Sequence, residues 1–328
     1  MTVWGISWTT SNLTKRGTMS ELSRMAQPLF DHPVVPTPPV ADLRRRGQRR
    51  RQRHLLGGST AVLLVAAVVA VATLAPSSPK PVGNQGSTLS LTAYIQKGVA
   101  VSDSTLKAVG LPADVTAPNS IPNGTALTQD GKPVVVFVGA EFCPYCALER
   151  WALVVALSRF GTFSNLGQTV SSSSTDVYPG LQSWSFKDST FTSSSLAFAP
   201  AEVYSSTPNS TGTGYEPLQS LTALQSQAYG PYSDSGYPFI DIGGKYVALG
   251  ASANPGVLQN LTLDQIASQL DDPSSAVALA VDGTANYLIA AMCSVTSTSV
   301  APICTAPFVS QAQAGMASNP YVAGGSPS

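Results

Sequence analysis

The feature that most constrains the fold is a cysteine pair between a predicted strand and a predicted helix. The apolar run PVVVFVGAEF, residues 133–142, leads into Cys143-Pro144-Tyr145-Cys146, and ALERWALVVALSRF follows. A helix that begins at the first cysteine directs free backbone N–H groups and the positive end of its dipole at Cys143, which favours the thiolate. Pro144 suits the first helical turn, and the spacing places Cys146 on the same face as Cys143. The pattern predicts a thiol–disulfide active site in which Cys143 attacks and Cys146 resolves the mixed disulfide.

The second feature is an uncharged run, LLGGSTAVLLVAAVVAVATLA, over residues 55–75. At about 1.5 Å per residue it is long enough to cross a hydrocarbon core of roughly 30 Å as a helix. The arginine-rich stretch 44–54 precedes it and the nearly neutral stretch 76–88 follows it. The positive-inside rule therefore places the N-terminus in the cytoplasm and the rest of the chain outside.

We expect this run to be one transmembrane helix in a prokaryotic plasma membrane, since no other targeting signal is visible. A cleaved secretory signal peptide is the alternative, with the small-x-small sequence at 70–72 as its cleavage site. The long arm before the run and Pro76 directly after it favour an uncleaved anchor.

Charge is divided along the chain although its total is zero. Residues 1–75 hold ten Lys or Arg and three Asp or Glu, whereas residues 76–328 hold eight and fifteen, so the two parts carry +7 and −7. A basic cluster beside a membrane sets topology and contacts anionic lipid, so we expect no nucleic-acid partner. All four cysteines follow the apolar run, and an even number on the oxidising side is typical of two disulfides.

These segments predict a domain plan. Residues 1–54 are expected to be a disordered basic cytoplasmic arm, and residues 76–88 a linker. Residues 89–310 are expected to form one extracytoplasmic domain, and residues 311–328 a flexible tail. Within the domain, aromatic and polar residues alternate over 164–206, which predicts a β-rich segment.

Further periodic segments complete the domain. A weak helical period ends at Val109, and residues 216–228 carry apolar positions at helical spacing. Residues 239–249 alternate around Gly-Gly, which predicts a hairpin with Pro238 before its first strand. Helices are predicted after Thr262, a plausible cap, and over ANYLIAAMCSV.

The order strand, CxxC, helix, proline before a β-hairpin, helix resembles the thioredoxin fold. The resemblance implies an α/β domain: a thioredoxin-like mixed sheet with flanking helices and an inserted β-rich segment, preceded here by one transmembrane helix. It also implies that Cys143 and Cys146 are a redox pair. Tyr237-Pro238 is implied to be cis, with Pro238 facing the two cysteines and helping to hold the substrate polypeptide.

Several motifs are more closely similar to an uncharacterised thioredoxin-like family called domain of unknown function 929. They are FVGAEFCPYCALERW, FSNLG with the following DVYP, AFAPAEVYS, and ANYLIAAMC with its later cysteine. The resemblance covers about residues 90–310 and implies a fold and a redox pair, but no substrate. The chain departs from ordinary thioredoxins in the long stretch between Cys146 and Pro238, which leaves room for inserted strands or loops.

Other residues near the cysteines have two interpretations each. Glu141 and Glu149 flank the motif, and a buried carboxylate there can accept the proton of the resolving thiol, although most such residues are simply solvated. Tyr145, between the cysteines, either influences the redox potential or contacts a substrate, or else is an exposed aromatic residue. Trp151 and Phe142 are expected in the core rather than in the site.

Cys293 and Cys304 are expected to form a structural disulfide that closes a short loop and stabilises the domain by roughly 3 kcal/mol. A second redox pair is the alternative. Zinc bound by both cysteine pairs is disfavoured, because His32 and His54 lie in the N-terminal arm and the second pair is too widely spaced for a knuckle. We therefore expect no metal and no cofactor.

Two functions remain open. One is a membrane-anchored extracytoplasmic thiol–disulfide oxidoreductase that acts on cysteines of exported proteins and exchanges electrons with an unidentified redox partner. The other is a redox-silent thioredoxin-fold binding or scaffold module of the cell envelope, with CPYC as a structural bridge. The residues favour the enzyme. Accessibility separates the two, because an enzyme needs Cys143 exposed beside Pro238, whereas a scaffold can bury it under the inserted segment.

Overall fold

The apolar run after Lys132 forms the strand around which the domain is built. Its residues from Val134 to Val138 are fully buried. The computed structural model describes residues 101–172, 176–296 and 301–322, all within one compact unit, Val82–Ser328. The predicted arm at 1–54, transmembrane helix at 55–75 and linker at 76–88 lie outside the described residues.

The described residues form strands of two to eight residues. They are β1 (Asn119–Ser120), β2 (Thr128–Gln129), β3 (Lys132–Gly139), β4 (Thr162–Ser164), β5 (Gly167–Val170), β6 (Gln182–Ser185), β7 (Thr190–Thr192), β8 (Ala197–Glu202), β9 (Tyr204–Pro208), β10 (Tyr215–Pro217), β11 (Phe239–Ile242) and β12 (Tyr246–Leu249).

The α-helices of the same residues are α1 (Asp103–Val109), α2 (Pro144–Leu157), α3 (Ala223–Tyr229), α4 (Leu263–Gln269), α5 (Ala276–Val295) and α6 (Pro307–Ala317). Short 3₁₀ helices span Gly230–Ser235, Pro255–Leu258 and Pro302–Thr305. The Thr262 side chain caps α4, as the sequence predicted, by accepting a hydrogen bond from the Gln265 N–H.

The main sheet is mixed and six-stranded, in the order β1-β12-β11-β3, with β2 and β8 both pairing to β3. β8 is parallel to β3, and β11 is antiparallel to both β3 and β12. Because α2 lies between β3 and β8 in the chain, the parallel pair is a crossover unit. The hairpin predicted around Gly243 and Gly244 is β11–β12.

β3 is apolar at successive positions because both of its faces are covered. Val135 and Phe137 belong to the large core cluster that contains α2 and α5. Val134, Val136 and Val138 belong to a second cluster with residues of α3. The fold is therefore a mixed α/β arrangement with helices on both faces of the sheet.

The β-rich segment between α2 and α3 packs against the same core. Outside β8, its strands form the two-stranded pairs β4–β7, β5–β6 and β9–β10. The Trp184 ring of β6 contacts the Trp151 ring of α2, with centroids 4.8 Å apart, and the Trp151 Nε1–H donates to the Gln182 carbonyl at 3.1 Å. Trp151 is a core residue, as expected from the sequence.

α5 is longer than the predicted helix, because it begins at Ala276 with the Ser275 side chain as its cap. Among the described residues it is the helix that is long and apolar enough to cross a membrane, judged by length and composition. However, 83% of its apolar 18-residue window is buried within the domain. This burial is what a core helix would have, and α5 packs against α2 and α6.

The C-terminal boundary differs from the prediction. α6 continues to Ala317, with Ala312 and Met316 buried, and the backbone of Tyr321 hydrogen-bonds to that of Ser120. Residues 311–317 therefore belong to the folded domain and are not the flexible tail expected at 311–328. Their four-residue apolar spacing covers the core, although small and polar residues separate the apolar positions.

A disulfide joins the end of α5 to the 3₁₀ helix that precedes α6. Its cysteines, Cys293 and Cys304, have Cα atoms 5.6 Å apart and are separated by 11 positions in the sequence. The bond closes a loop that includes residues 297–300, which lie outside the described part of the chain.

Replacing both residues, Cys293→Ser with Cys304→Ser, should lower the free energy of unfolding by about 3 kcal/mol, because the unfolded chain regains the freedom of the closed loop. Urea denaturation followed by the fluorescence of Trp151 and Trp184 measures this loss. Reductant added to the wild type should reproduce it, and an unchanged urea midpoint would count against a structural role.

A buried acid in α5 makes stability depend on pH. The carboxylate of Asp282 is fully buried and has no hydrogen-bond partner among the described residues. Burial, followed by the nearby charge of Asp271, raises the pKa of Asp282 to about 8. The folded protein therefore keeps a proton that the unfolded chain releases near pH 4, so stability falls as pH rises from about 4 to about 8.

The variant Asp282→Asn removes this titration. We expect it to be more stable than the wild type by about 5 kcal/mol at pH 8 and nearly equal to it at pH 4, because a pKa difference of about four units corresponds to that free energy. Urea denaturation at both pH values measures the difference, with the exposed Asp188→Asn as a control. A gap between Asp282→Asn and wild type that does not change with pH would contradict the assignment.

Candidate active site

The two cysteines lie where β3 gives way to α2. Cys143 occupies the N-cap of α2, and its Sγ accepts a hydrogen bond from the Cys146 N–H at 3.3 Å. Pro144 takes the first helical position, where a missing N–H costs nothing. The free N–H groups and the positive end of the helix dipole are therefore directed at Cys143 Sγ, as the sequence predicted.

The strand end has no room for a side chain. A Cβ at Gly139 would lie 3.2 Å from Cys146 Sγ and would overlap the Phe137 ring. Glycine at this position thus allows the buried sulfur of Cys146 to lie against the end of β3.

The two thiols have opposite environments. Both are free thiols, and Cys146 is fully buried whereas Cys143 is 6% exposed. The hydrogen bond from the Cys146 thiol, together with the helix N–H groups and the positive charge of Arg150, lowers the pKa of Cys143 against the opposing effect of burial. Burial, followed by the neighbouring Cys143, raises the pKa of Cys146 well above its usual value. One cysteine is suited to be a thiolate and the other to remain a thiol.

A buried ion pair lies behind the cysteines. The Arg150 guanidinium of α2 donates to the Glu202 carboxylate of β8 from Nε and from Nη2, at 2.7 Å each, and both side chains are fully buried. Its Nη2 also donates to the Ala140 carbonyl at 2.6 Å, the same oxygen that accepts the Cys143 N–H.

The sequence analysis missed Arg150 and Glu202. A signal was present, because each is a charged residue inside a largely apolar motif, ALERWALVVAL and AFAPAEV. A charge in such a position is expected to have a partner.

The two glutamates beside the motif differ in burial. Glu149 is fully buried, and its Oε1 accepts the Ser252 N–H at 2.6 Å while Oε2 has no partner among the described residues. Burial raises the pKa of Glu149 to about 7. Glu141 is only half-buried and accepts a hydrogen bond from the Ser185 hydroxyl. Of the two, Glu149 has the environment of a proton acceptor.

Strand pairing places Pro238 at the same end of β3 as the cysteine loop. The Tyr237–Pro238 peptide bond is cis. The next residue, Phe239, pairs with Val138 of β3, so Pro238 meets the end of β3 from which the CPYC loop starts. Tyr237 is half-buried against the ring of Tyr229, with centroids 6.0 Å apart.

Two aromatic residues of the cysteine loop contact rings of the β-rich segment. Phe142 is partly buried and stacks on Tyr215 of β10, with ring centroids 4.0 Å apart. Tyr145 is 40% exposed and meets the edge of Tyr178 at 6.1 Å. The exposed residue of the CPYC motif is therefore Tyr145, and the β-rich segment supplies the ring that it contacts.

No group of three or more His, Cys, Asp or Glu that could hold a metal lies together within the described ranges. Cys293 and Cys304 are bonded to each other and have no thiolate to offer a metal.

Fold and site together define a mixed α/β domain with two free cysteines at the start of a buried helix. The model of a family described as Domain of unknown function (DUF929) matches residues 121–229, which include both cysteines, Arg150 and Glu202. The match supports the resemblance to that family over a shorter stretch than residues 90–310. No curated protein and no solved structure matches the chain.

The different environments of the thiols predict different reactivities. In the reduced full chain, iodoacetamide should modify Cys143 at a pH below the usual range for cysteine and should modify Cys146 only after unfolding, because alkylation requires an accessible thiolate. Mass spectrometry of peptides after timed alkylation measures both rates. Cys146→Ser isolates the first site, and equal rates at the two cysteines would contradict the asymmetry.

Proposed function

We propose that this protein is a membrane-anchored extracytoplasmic thiol–disulfide oxidoreductase that acts on cysteines of exported proteins. The observation that carries the proposal is the position of Cys143, whose sulfur caps α2 and whose pKa is lowered, next to the buried thiol of Cys146. A thiolate that attacks and a thiol that resolves are the two groups which this reaction needs.

The topology supports a thioredoxin-like fold. The sheet order β8-β3-β11-β12, with CPYC after β3 and α2 crossing to the parallel β8, is the order such a fold would have. A cis proline before the antiparallel hairpin fits the same pattern. The strands β4–β7, β9 and β10 are then insertions that surround the site.

The reaction follows from the two thiols. The Cys143 thiolate attacks one sulfur of a substrate disulfide, a mixed disulfide forms, and the other substrate sulfur leaves as a thiolate. Cys146 gives up its proton and attacks Cys143 Sγ, which closes the Cys143–Cys146 disulfide and releases the second substrate thiol. The substrate gains two electrons and the pair loses two, and the same steps in reverse oxidise a dithiol substrate.

The remaining residues have supporting roles in this proposal. Glu149 lies one helical turn after Cys146, and its raised pKa suits it to accept the proton of that thiol. In this proposal the Tyr237–Pro238 segment, at the same end of β3 as the cysteine loop, helps to hold the substrate polypeptide, and the exposed Tyr145 contacts it. A separate thiol–disulfide partner restores the starting redox state.

The cellular setting rests on the sequence. The apolar run 55–75 anchors the chain in the plasma membrane of a prokaryote, with the N-terminus in the cytoplasm, and residues 76–88 tether the domain outside. Exported proteins that contain cysteines are the substrates available there.

One observation favours a second function. Cys143 is only 6% exposed, which is also compatible with a redox-silent scaffold or binding module of the cell envelope. The two functions differ in whether the pair is reduced and reoxidised at potentials found in cells.

The reduction potential of the pair tests the proposal. The full chain in detergent is equilibrated with glutathione redox buffers, and the oxidised fraction is measured by alkylation and mass spectrometry. We expect a reversible two-electron transition between about −120 and −270 mV, the range of known oxidoreductases. Cys143→Ser should abolish it, and Cys293→Ser with Cys304→Ser should leave it in place.

The opposite result is equally specific. A pair that stays oxidised below about −300 mV, with no thiol open to alkylation until the protein unfolds, would establish a structural bridge and the scaffold function instead.

A further inference from the structure

The Arg150–Glu202 ion pair joins the two elements, α2 and β8, that lie next to the cysteine loop. Arg150 lies on α2 one turn after Cys146, and Glu202 ends β8, where it pairs in register with Gly139 of β3. The guanidinium also holds the Ala140 carbonyl, which accepts the N–H of Cys143. The pair thus connects α2, the loop before the cysteines and β8.

Stability alone is a weak reason for such a pair. Removing two charges from water costs several kcal/mol per ion, and apolar residues of similar volume are often equally or more stable in that place. Moreover, Arg150 Nη1 is buried without a hydrogen-bond partner among the described residues, so no described residue replaces the hydrogen bonds that this atom would make to water. Stability therefore does not explain why two charged residues occupy these core positions.

The positive charge of Arg150 favours the thiolate forms of the two cysteines. Arg150 lies close enough that its positive charge lowers the pKa of both Cys143 and Cys146, and the cysteines in turn raise the pKa of Arg150. In a buried region this attraction is screened far less than at the surface. Glu202 binds the guanidinium from β8, and by Coulomb's law its negative charge partly cancels the field of the guanidinium at the sulfurs.

We propose that Arg150 is a positioning residue which, held by Glu202, stabilises the reduced form of the cysteine pair and so sets its reduction potential. The inference rests on the proposed oxidoreductase function. With Cys143 ionised, the reduced pair carries a negative charge whereas the disulfide carries none, so a buried cation favours the reduced form and makes the pair more oxidising. A buried anion has the opposite effect.

Replacing Arg150 and replacing Glu202 are therefore predicted to shift the reduction equilibrium of the cysteine pair in opposite directions. Arg150→Met removes the cation and leaves Glu202, so the equilibrium constant for reduction of the disulfide by glutathione should fall about tenfold, or about 30 mV. Glu202→Gln removes the negative charge beside Arg150, so the same equilibrium constant should rise about tenfold. The pKa of Cys143 should rise in the first variant and fall in the second.

The experiment measures glutathione equilibria and thiolate absorbance at 240 nm on the full chain in detergent. Arg159→Met is the matched control, because Arg159 forms an ion pair with Asp103 at 3.1 Å after the end of α2, where it is partly solvent-exposed. This control should leave the potential within twofold of wild type. Urea denaturation followed by Trp151 and Trp184 fluorescence checks that each variant folds.

The outcomes separate this inference from the proposed function. If wild type has no reversible transition, the oxidoreductase function fails and this inference fails with it. If wild type has the transition but Arg150→Met and Glu202→Gln shift it in the same direction, or no more than Arg159→Met does, only the inference is overturned, because a purely structural pair would act in that way.

A variant that fails to fold does not end the test. Where Arg150→Met is unfolded, Arg150→Met with Glu202→Gln replaces it, since a neutral pair of similar volume is tolerated in such positions. This double variant should also reduce less readily than wild type, while Glu202→Gln alone should reduce more readily. Equal constants in both would overturn the inference.

Discussion

The burial of β3 on both faces is the constraint on which the rest of the domain depends. Successive apolar residues from Val134 to Val138 require a helical layer on each side, and these layers are provided by α2 with α5 and by α3. A central strand also has two neighbours, here the parallel β8 and the antiparallel β11. As a result, the end of β3 brings three distant parts of the chain to one point: the cysteine loop, Glu202 and Pro238.

The same burial decides the chemistry of the two sulfurs. At the helix N-cap, the pKa of Cys143 is lowered by the hydrogen bond from the Cys146 thiol, by fixed N–H donors and by the charge of Arg150, and these together outweigh its desolvation. Cys146 lies one turn further inside, where desolvation outweighs the attraction of Arg150. Over one helical turn the pKa is therefore lowered at one cysteine and raised at the other, and the helix end contributes to this difference because its electrostatic effect is concentrated in the first turn.

Local patterns predicted the local structure well, and long-range pairing is what they could not predict. The helix after CPYC, the hairpin at β11–β12, the β-rich segment and the cap at Thr262 all follow from spacing and turn residues. The Arg150–Glu202 contact joins residues 52 positions apart, and no periodicity encodes it. α5 was predicted too short because Asp282 and Gly283 interrupt its apolar run, although both are buried against neighbouring parts of the domain. α6 was missed because only tertiary packing makes its sparse apolar positions helical.

The two cysteine pairs of this domain differ in what a disulfide would achieve. Cys293 and Cys304 close a loop of 11 positions, so their bond removes considerable freedom from the unfolded chain. Cys143 and Cys146 are three positions apart on one helical turn, where the loop is short and the entropic gain is correspondingly smaller. A disulfide between Cys143 and Cys146 would therefore add little to stability. Its formation would also remove the ionised form of Cys143, which the helix end and the buried Arg150 both favour. Cys143 is itself only 6% exposed, and fixed donors rather than water stabilise its sulfur.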